Sequence, residues 1–263
     1  IPRLQSGVNY ISTLISEIDT IFFNDGYNLA KQNLEREISV LTLLNLTREV
    51  YETIDGLMDS FISRCLREEK KVDCRKGCYH CCSQAVFALP YEVLSLVHYI
   101  KDNLTEKEIQ EIKKNTVRKN KITESMNVRQ FLHYKSPCPL LRKGICTIYE
   151  ARPMACRTYI SSGKEGCLNE YNNPSDINIF PDLYEFPIHT GRIINEGICS
   201  YLTENQIYSS EWQIESILLT AFEKKDAFDC WIKGENVFQK RNYSDDEIKY
   251  FQNFGSGIRT GRS

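Results

Sequence analysis

The 263-residue sequence predicts a mostly α-helical protein: a single helical domain with an irregular, cysteine-rich metal-binding core. Three observations lead there. Apolar residues recur at three- and four-residue spacing along much of the chain, as one face of a helix requires. No series of strands alternates with these segments, which argues against a parallel α/β sheet. Eight of the 11 cysteines fall into two groups, Cys74, Cys78, Cys81 and Cys82, then Cys138, Cys146, Cys156 and Cys167.

The helices follow in order. Ile11, Leu14, Ile15, Ile18 and Phe22 form the first apolar stripe, and a second helix is expected across residues 29–44. A longer one runs from about Thr47 to Lys70, with Val50, Ile54, Leu57, Phe61, Ile62, Cys65 and Leu66 inward, which makes Cys65 a core residue rather than a ligand. Pro90 suits the first position of a helix carrying Val93, Leu94, Leu96, Val97 and Ile100. Thr105 with Glu108 forms a capping box between Leu104 and Ile109; Ser244 with Glu247 repeats it between Tyr243 and Ile248, and Ser210 with Gln213 opens a further helix. Segment 168–190, with Pro174, Pro181 and Pro187, reads as an irregular crossing loop. The expected organisation is an N-terminal helical region at 1–70, a cysteine-cluster metal-binding domain at 71–240, and a C-terminal helix with a loose tail at 241–263. No initiator Met is present, so the chain is expected to begin inside a longer product.

Composition narrows the function. Net charge is −2 with a pI near 6.2, which gives no global reason to expect nucleic acid. The apolar runs fall short of the roughly 18 residues a membrane span needs, so a soluble, cytoplasmic protein without a membrane partner is expected. The odd cysteine count and the vicinal pair Cys81-Cys82 fit a disulfide framework poorly and suit reduced thiols engaged in metal or redox chemistry. The three Asn-x-Ser/Thr sequons, at Asn45, Asn103 and Asn242, are discounted on the same ground.

The cysteine spacing is that of metal ligands. At this cysteine content a nine-residue window should hold roughly 0.4 of a cysteine, yet residues 74–82 hold four. Seven Lys or Arg (Arg75, Lys76, Arg142, Lys143, Arg152, Arg157 and Lys164) accompany two acids, Glu150 and Glu165, within segments 74–82 and 138–167. Basic neighbours lower thiol pKa and offset the charge of bound thiolates. Whether 74–82 is a helix or a tight loop interrupted at Gly77, its four sulfurs can face one way. Neighbouring cysteines seldom reach one tetrahedral ion together, so the Cys81-Cys82 pair points to a polynuclear cluster or two adjacent sites, or to one of the two standing outside the ligand set. Cys74-x3-Cys78-x2-Cys81 also matches the spacing by which radical S-adenosylmethionine enzymes hold a [4Fe–4S] cluster, though the strands of their partial barrel are not found here.

Taken together, Cys74-Arg-Lys-Gly-Cys78-Tyr-His-Cys81-Cys82, then Cys138-Pro-Leu-Leu, then Gly144-Ile-Cys146-Thr-Ile-Tyr149-Glu-Ala-Arg152-Pro153-Met-Ala-Cys156-Arg157, Ser162 and Cys167, resemble the YkgJ-type cysteine-cluster family. This is a zinc- or iron-chelating domain also found in flagellin lysine N-methylases. Trp231-Ile-Lys-Gly234-Glu is similar to that family's closing segment, so the resemblance covers about residues 72–240. It implies eight metal-chelating cysteines: Cys74, Cys78, Cys81, Cys82, Cys138, Cys146, Cys156 and Cys167. The first group has Cys-x3-Cys where the family's name has Cys-x2-Cys, which bears most on Cys74.

The expected function is therefore a cysteine-ligated metal centre, iron or iron–sulfur ahead of zinc, used in redox or alkyl-transfer chemistry on an unknown small-molecule or protein substrate. S-adenosylmethionine is a candidate second cofactor, and Tyr149, Arg152 and Arg157 are the candidate cofactor-binding residues unless the arginines serve to neutralise the thiolates. The rival readings are a structural zinc module in a helical interaction protein and a radical S-adenosylmethionine enzyme. His80, inside the first group, is expected beside the metal; His98, His133 and His189, standing alone, are expected to be structural, and Cys199 and Cys230 to be core. A pocket is expected beside the cysteines, lined in part by the 140–160 segment and the loop after Cys167.

Overall fold

The computed structural model describes residues 17–176 and 179–238, with Ser244, Asp246, Glu247 and Lys249. Helices dominate them: α1 Glu17–Leu34, α2 Val40–Arg67, α3 Pro90–Asn103, α4 Glu106–Thr123, α5 Val128–His133, α6 Met154–Arg157, α7 Lys164–Asn172, α8 Glu185–Glu204, α9 Ile214–Glu223 and α10 Ala227–Ile232. Four strands of two residues each interleave with them, β1 Phe87–Ala88, β2 Leu141–Arg142, β3 Ile145–Cys146 and β4 Trp212–Gln213. They pair as β1 with β4 and β2 with β3, both antiparallel. Among the described residues there is thus no parallel barrel, and the radical S-adenosylmethionine reading loses the scaffold it needs.

One hydrophobic core runs through α1, α2, α3, α8, α9 and α10, with Leu34, Leu46, Ile54, Tyr91, Ile100, Leu202, Ile217 and Trp231 all buried. The N-terminal helices are part of this core. α1 lies along α8 at backbone contact: a Cβ on Gly26 would stand 2.0 Å from the Ile194 carbonyl oxygen, and one on Gly197 2.1 Å from that of Phe23. Only glycine at both positions permits this approach. Polar contacts fix the register, with His189 2.6 Å from Asp19 and the Tyr27 hydroxyl donating to Glu204 at 2.7 Å.

Local sequence explains the helix ends. Pro90 begins α3, and Thr105 caps α4 while the Glu108 carboxylate returns to the Thr105 N–H. Ser244 and Glu247 exchange the same bonds, whereas the flanking Tyr243 and Ile248 lie outside the described residues, as do the stripe at Ile11, Leu14 and Ile15 and the Gly255–Ser263 tail.

Three expectations are corrected. The helix expected over 29–44 is broken at 35–39, because Ser39 caps α2 through reciprocal bonds with Thr42, whose hydroxyl does the work usually done by Glu or Gln. Ser210 does not open a helix: Trp212 and Gln213 are drawn into pairing with Ala88 and Phe87, and α9 starts at Ile214. Of the loop expected at 168–190 only 173–176 and 179–184 are non-helical among the described residues, since α7 extends to Asn172 and α8 begins at Glu185 with Pro187 in its first turn, where no helical N–H is needed.

Candidate metal centre

The first cysteine group follows α2 in a loop. An i to i+3 turn closes it, with the Cys78 N–H donating to the Arg75 carbonyl at 3.0 Å and Gly77 at φ +93°, the left-handed conformation glycine tolerates. A single 3-10 turn, His80–Ser83, then presents Cys81 and Cys82. A loop and one 3-10 turn, not an α-helix, carry these thiols.

Backbone pairing brings the second group alongside. The Cys138 N–H donates to the Cys82 carbonyl at 2.7 Å and the Ser136 N–H to that of Ser83 at 3.0 Å. Past Cys138, the β2–β3 hairpin turns through Lys143 and Gly144, both at positive φ, and sets Cys146 opposite Leu141. Tyr79 lies on that turn, its ring 3.2 Å from where a Gly144 Cβ would be. Further on, the Ser161 N–H donates to the Cys74 sulfur at 3.2 Å, and the Lys164 N–H at the start of α7 donates to Asp73 at 3.0 Å, which carries Cys167 toward the first loop.

All 11 cysteines are free thiols. The eight of the two groups are electrostatic neighbours. Burial pushes Cys74 up to about 11 and Cys138 up to about 12, and raises Cys146, Cys156 and Cys167, each further raised by nearby thiolates. The vicinal pair is split by its own hydrogen bond: the Cys82 thiol donates to Cys81, which lowers Cys81 and, with burial, raises Cys82. Among the described residues no three His, Cys, Asp or Glu side chains form a ready-made cage for an ion. The sulfurs are gathered without converging on a common point. As a donor set they suit a soft metal, since thiolates select zinc, copper(I) or iron–sulfur units, and a cation would supply the counter-charge that buried thiols lack.

The charged neighbours divide into two roles. The Arg152 guanidinium stacks 3.9 Å from the Tyr149 ring centroid, bonds the Tyr149 carbonyl at 3.2 Å, and pulls Cys81, Cys146 and Cys156 toward the thiolate. Tyr149 packs beneath it, with the Lys76 ammonium 5.1 Å from the same ring. Arg157 is buried and turned away: it bonds the Arg152 carbonyl at 2.7 Å, the Glu150 carbonyl and Asp55, and lies over the Tyr51 ring. It ties the cysteine-bearing segment to α2. Glu92 does the same from α3, accepting from the Met154 N–H at 2.6 Å and the Leu89 N–H at 2.9 Å. Burial pushes its carboxyl up to about 7.

His80 stands between Tyr79 and Tyr171, with its buried Nδ1 lacking a hydrogen-bond partner. Cys65 and Cys199 are buried in the core, whereas Cys230, expected there too, is half-exposed and takes a bond from the Lys224 ammonium at 3.2 Å because α10 turns it outward. Sequence reasoning missed the buried pairs Lys135–Glu170 at 2.7 Å and Lys119–Glu215, the latter beside Cys138. Nothing local marks either, since each joins distant segments. A cavity of about 10 Å³ between α4 and residues 139–142 touches the expected 140–160 segment but none of the eight cysteines.

Residues 73–182 match the model of the cysteine-cluster family CxxCxxCC, described as a "Putative zinc- or iron-chelating domain". The matched segment holds all eight cysteines and ends well before Trp231. Trp231 is nevertheless a structural anchor, fully buried and donating its indole N–H to the Tyr208 carbonyl at 2.6 Å. No curated protein and no solved structure matches the chain. Among the described residues no helix is long and apolar enough to cross a membrane.

Proposed function

We propose that this chain, which carries a cysteine-cluster domain of the zinc- or iron-chelating family at residues 73–182, is a metalloprotein whose centre is iron–sulfur rather than zinc and serves an enzymatic step. The observation that carries the reading is the backbone pairing that brings the two groups of free, half-buried thiols alongside one another. Eight thiolates exceed the need of one four-cysteine zinc site, and a hydrogen-bonded vicinal pair suits a polynuclear centre. When bound, such a centre supplies either electron transfer or an open coordination position. Arg152 would balance the thiolate charge, and the ring of Tyr149 would hold that guanidinium in place. Tyr149 and Arg152 would also form the edge at which a second cofactor such as S-adenosylmethionine could meet the centre, with Arg157 fixing the segment from behind. The substrate class is a small molecule or a protein, and the compartment the cytoplasm.

Anaerobic purification with elemental analysis and a visible spectrum tests the reading. A brown protein containing iron and sulfide is expected. A colourless protein holding only zinc would favour the second reading, a structural zinc module, which draws its support from the desolvation of Cys138, Cys156 and Cys167.

A further inference from the structure

Of the three cysteines outside the two groups, Cys65 and Cys199 are buried in the core and Cys230 is half-exposed on α10. Its sulfur lies between two opposite charges. The Lys224 ammonium donates to it at 3.2 Å, and the thiol donates in turn to the Asp226 carboxylate at 3.6 Å. Backbone bonds hold this arrangement. The Lys224 N–H bonds the Thr220 carbonyl at 2.8 Å and closes α9, the Ala227 N–H bonds the Lys224 carbonyl at 3.1 Å across the turn, and the Cys230 N–H bonds the Asp226 carbonyl at 2.9 Å within α10. An amine and a thiol six residues apart in the chain therefore meet at hydrogen-bond distance.

The pair is open to small reagents. Cys230 lines a cleft of about 400 Å³ between residues 38–40 and α10, together with Ile38, Val40, Asp229 and Ile232. None of the eight clustered cysteines lines that cleft. Accessible thiols beside a cation are the ones oxidised first, and a sulfenic acid so formed condenses with a nitrogen held against it.

We propose that Lys224 and Cys230 form an oxidative modification site, separate from the metal centre, at which hydrogen peroxide converts the thiol to a sulfenic acid and the lysine amine closes a sulfur–nitrogen cross-link. In the first step a sulfur lone pair attacks the peroxide; one oxygen passes to sulfur, and the other leaves as hydroxide and carries off the thiol proton as water. Sulfur loses two electrons and the peroxide gains them. In the second step the Lys224 amine, having released one proton to solvent, attacks the same sulfur. The S–N bond forms as the S–O bond breaks, and the hydroxyl departs as water with a second proton from nitrogen. The order of events is built into the pair. The hydrogen bond to the Cys230 sulfur, and then the charge on that sulfur, hold the Lys224 ammonium above its ordinary pKa, and oxidation removes both, so the amine is freed once its partner has become electrophilic. The cross-link staples the end of α9 to α10 and removes a positive charge. Excess thiol reverses it, attacking sulfur and releasing the amine.

Hydrogen peroxide is the probe. The full chain, reduced and then exposed to a small excess of peroxide, is quenched in acid, alkylated without reductant and digested with trypsin. Mass spectrometry should find the peptide ending at Lys225 joined to the peptide 226–233, about 2 Da lighter than their sum, with no cleavage after Lys224 and with loss of the joined species in dithiothreitol. Cys230→Ser should abolish the species. Lys224→Arg keeps a cation beside the sulfur but has no amine to condense, so Cys230 should remain a sulfenic acid captured by dimedone, which the parent should show only weakly. An unmodified Cys230, equal dimedone capture in the parent and Lys224→Arg, or a disulfide from Cys230 to another cysteine would overturn the cross-link, and a joined species that retains an oxygen atom would overturn the condensation step. Metal content decides the reading of the cysteine centre, so the two fail separately.

Discussion

Two helical glycines make opposite predictions for the same substitution. Gly197 of α8 faces α1, and a methyl group there would stand 2.1 Å from the Phe23 carbonyl oxygen and 2.7 Å from the Tyr27 nitrogen. Both obstacles are backbone, so no rotamer change relieves them. Restoring an ordinary 3.4 Å contact with that oxygen would need the helices to part by about 1.3 Å, the difference between the two distances. A gap of that order forfeits a large share of the dispersion across the interface that buries Ala30, Leu34, Ile194 and Ile198. Overpacking of this kind costs about 3 kcal/mol at the upper end of its usual range, and the better helix propensity of alanine returns about 1 kcal/mol, leaving a net loss near 2 kcal/mol. Gly56, exposed in the middle of α2, has nothing within 4 Å of the corresponding position. There only the propensity term survives, so Gly56→Ala should stabilise by about 0.5–1 kcal/mol. For a chain of this length 1 kcal/mol corresponds to about 2 °C, so the two variants should separate by about 5–6 °C in melting temperature and in opposite directions in urea midpoint. Shifts of the same sign, or a Gly197→Ala protein within about 0.5 kcal/mol of the parent, would refute the backbone-contact argument.

Three further outcomes are expected. Cys78→Ser, Cys81→Ser, Cys146→Ser and Cys156→Ser should each reduce bound metal and stability together, because ligand binding energy is also folding energy, whereas Cys65→Ser and Cys199→Ser should leave metal content unchanged; equal metal content across both sets by elemental analysis would sink the ligand assignment. Lys119→Met should destabilise by about 3–5 kcal/mol by stranding Glu215 in the core, and Lys119→Met/Glu215→Leu should recover most of that in urea titrations; no recovery would mean the loss lies elsewhere. Glu92 binds its proton more readily folded, near 7, than unfolded, near 4.5, so its contribution to stability falls as pH rises through that window, by about 3 kcal/mol in total. The stability of Glu92→Gln relative to the parent should therefore climb between pH 5 and pH 8, and a flat difference would contradict the burial of an ionising carboxyl.

What is legible in the sequence is what local chemistry decides. Pro90 and the Thr105–Glu108 box mark helix starts within four residues, and Cys65 reads as core from its place on the apolar face of α2. The cysteine groups are visible because their members cluster in sequence, four of them within residues 74–82. The failures are long-range or belong to substitutes. Ser39-x-x-Thr42 is a capping box with an unfamiliar partner, so periodicity alone predicts one helix where two meet. Ser210-x-x-Gln213 has the familiar letters, but pairing with residues 87–88 claims the backbone first. At the centre, Arg152 and Arg157 are indistinguishable as letters. One turns to the thiols and one to Asp55, a difference set by α2 lying behind the 150–157 segment.

That arrangement bears on how the centre is built. The core helices close through buried residues that include no member of the eight, and the cysteine loops are then held to them by polar anchors: Arg157 on Asp55, Glu92 on the Met154 N–H and Lys119 on Glu215. Each anchor lies one to three residues from a cysteine or beside one, at Cys156 and at Cys138. Such anchoring lowers the conformational entropy that remains to be lost when a metal arrives, because the loops are already confined. A small zinc-dependent domain must order its whole chain on binding, whereas here the helical core has ordered most of it beforehand. For the metal centre proposed above, affinity should then reflect chiefly the cost of deprotonating thiols whose burial raises their pKa.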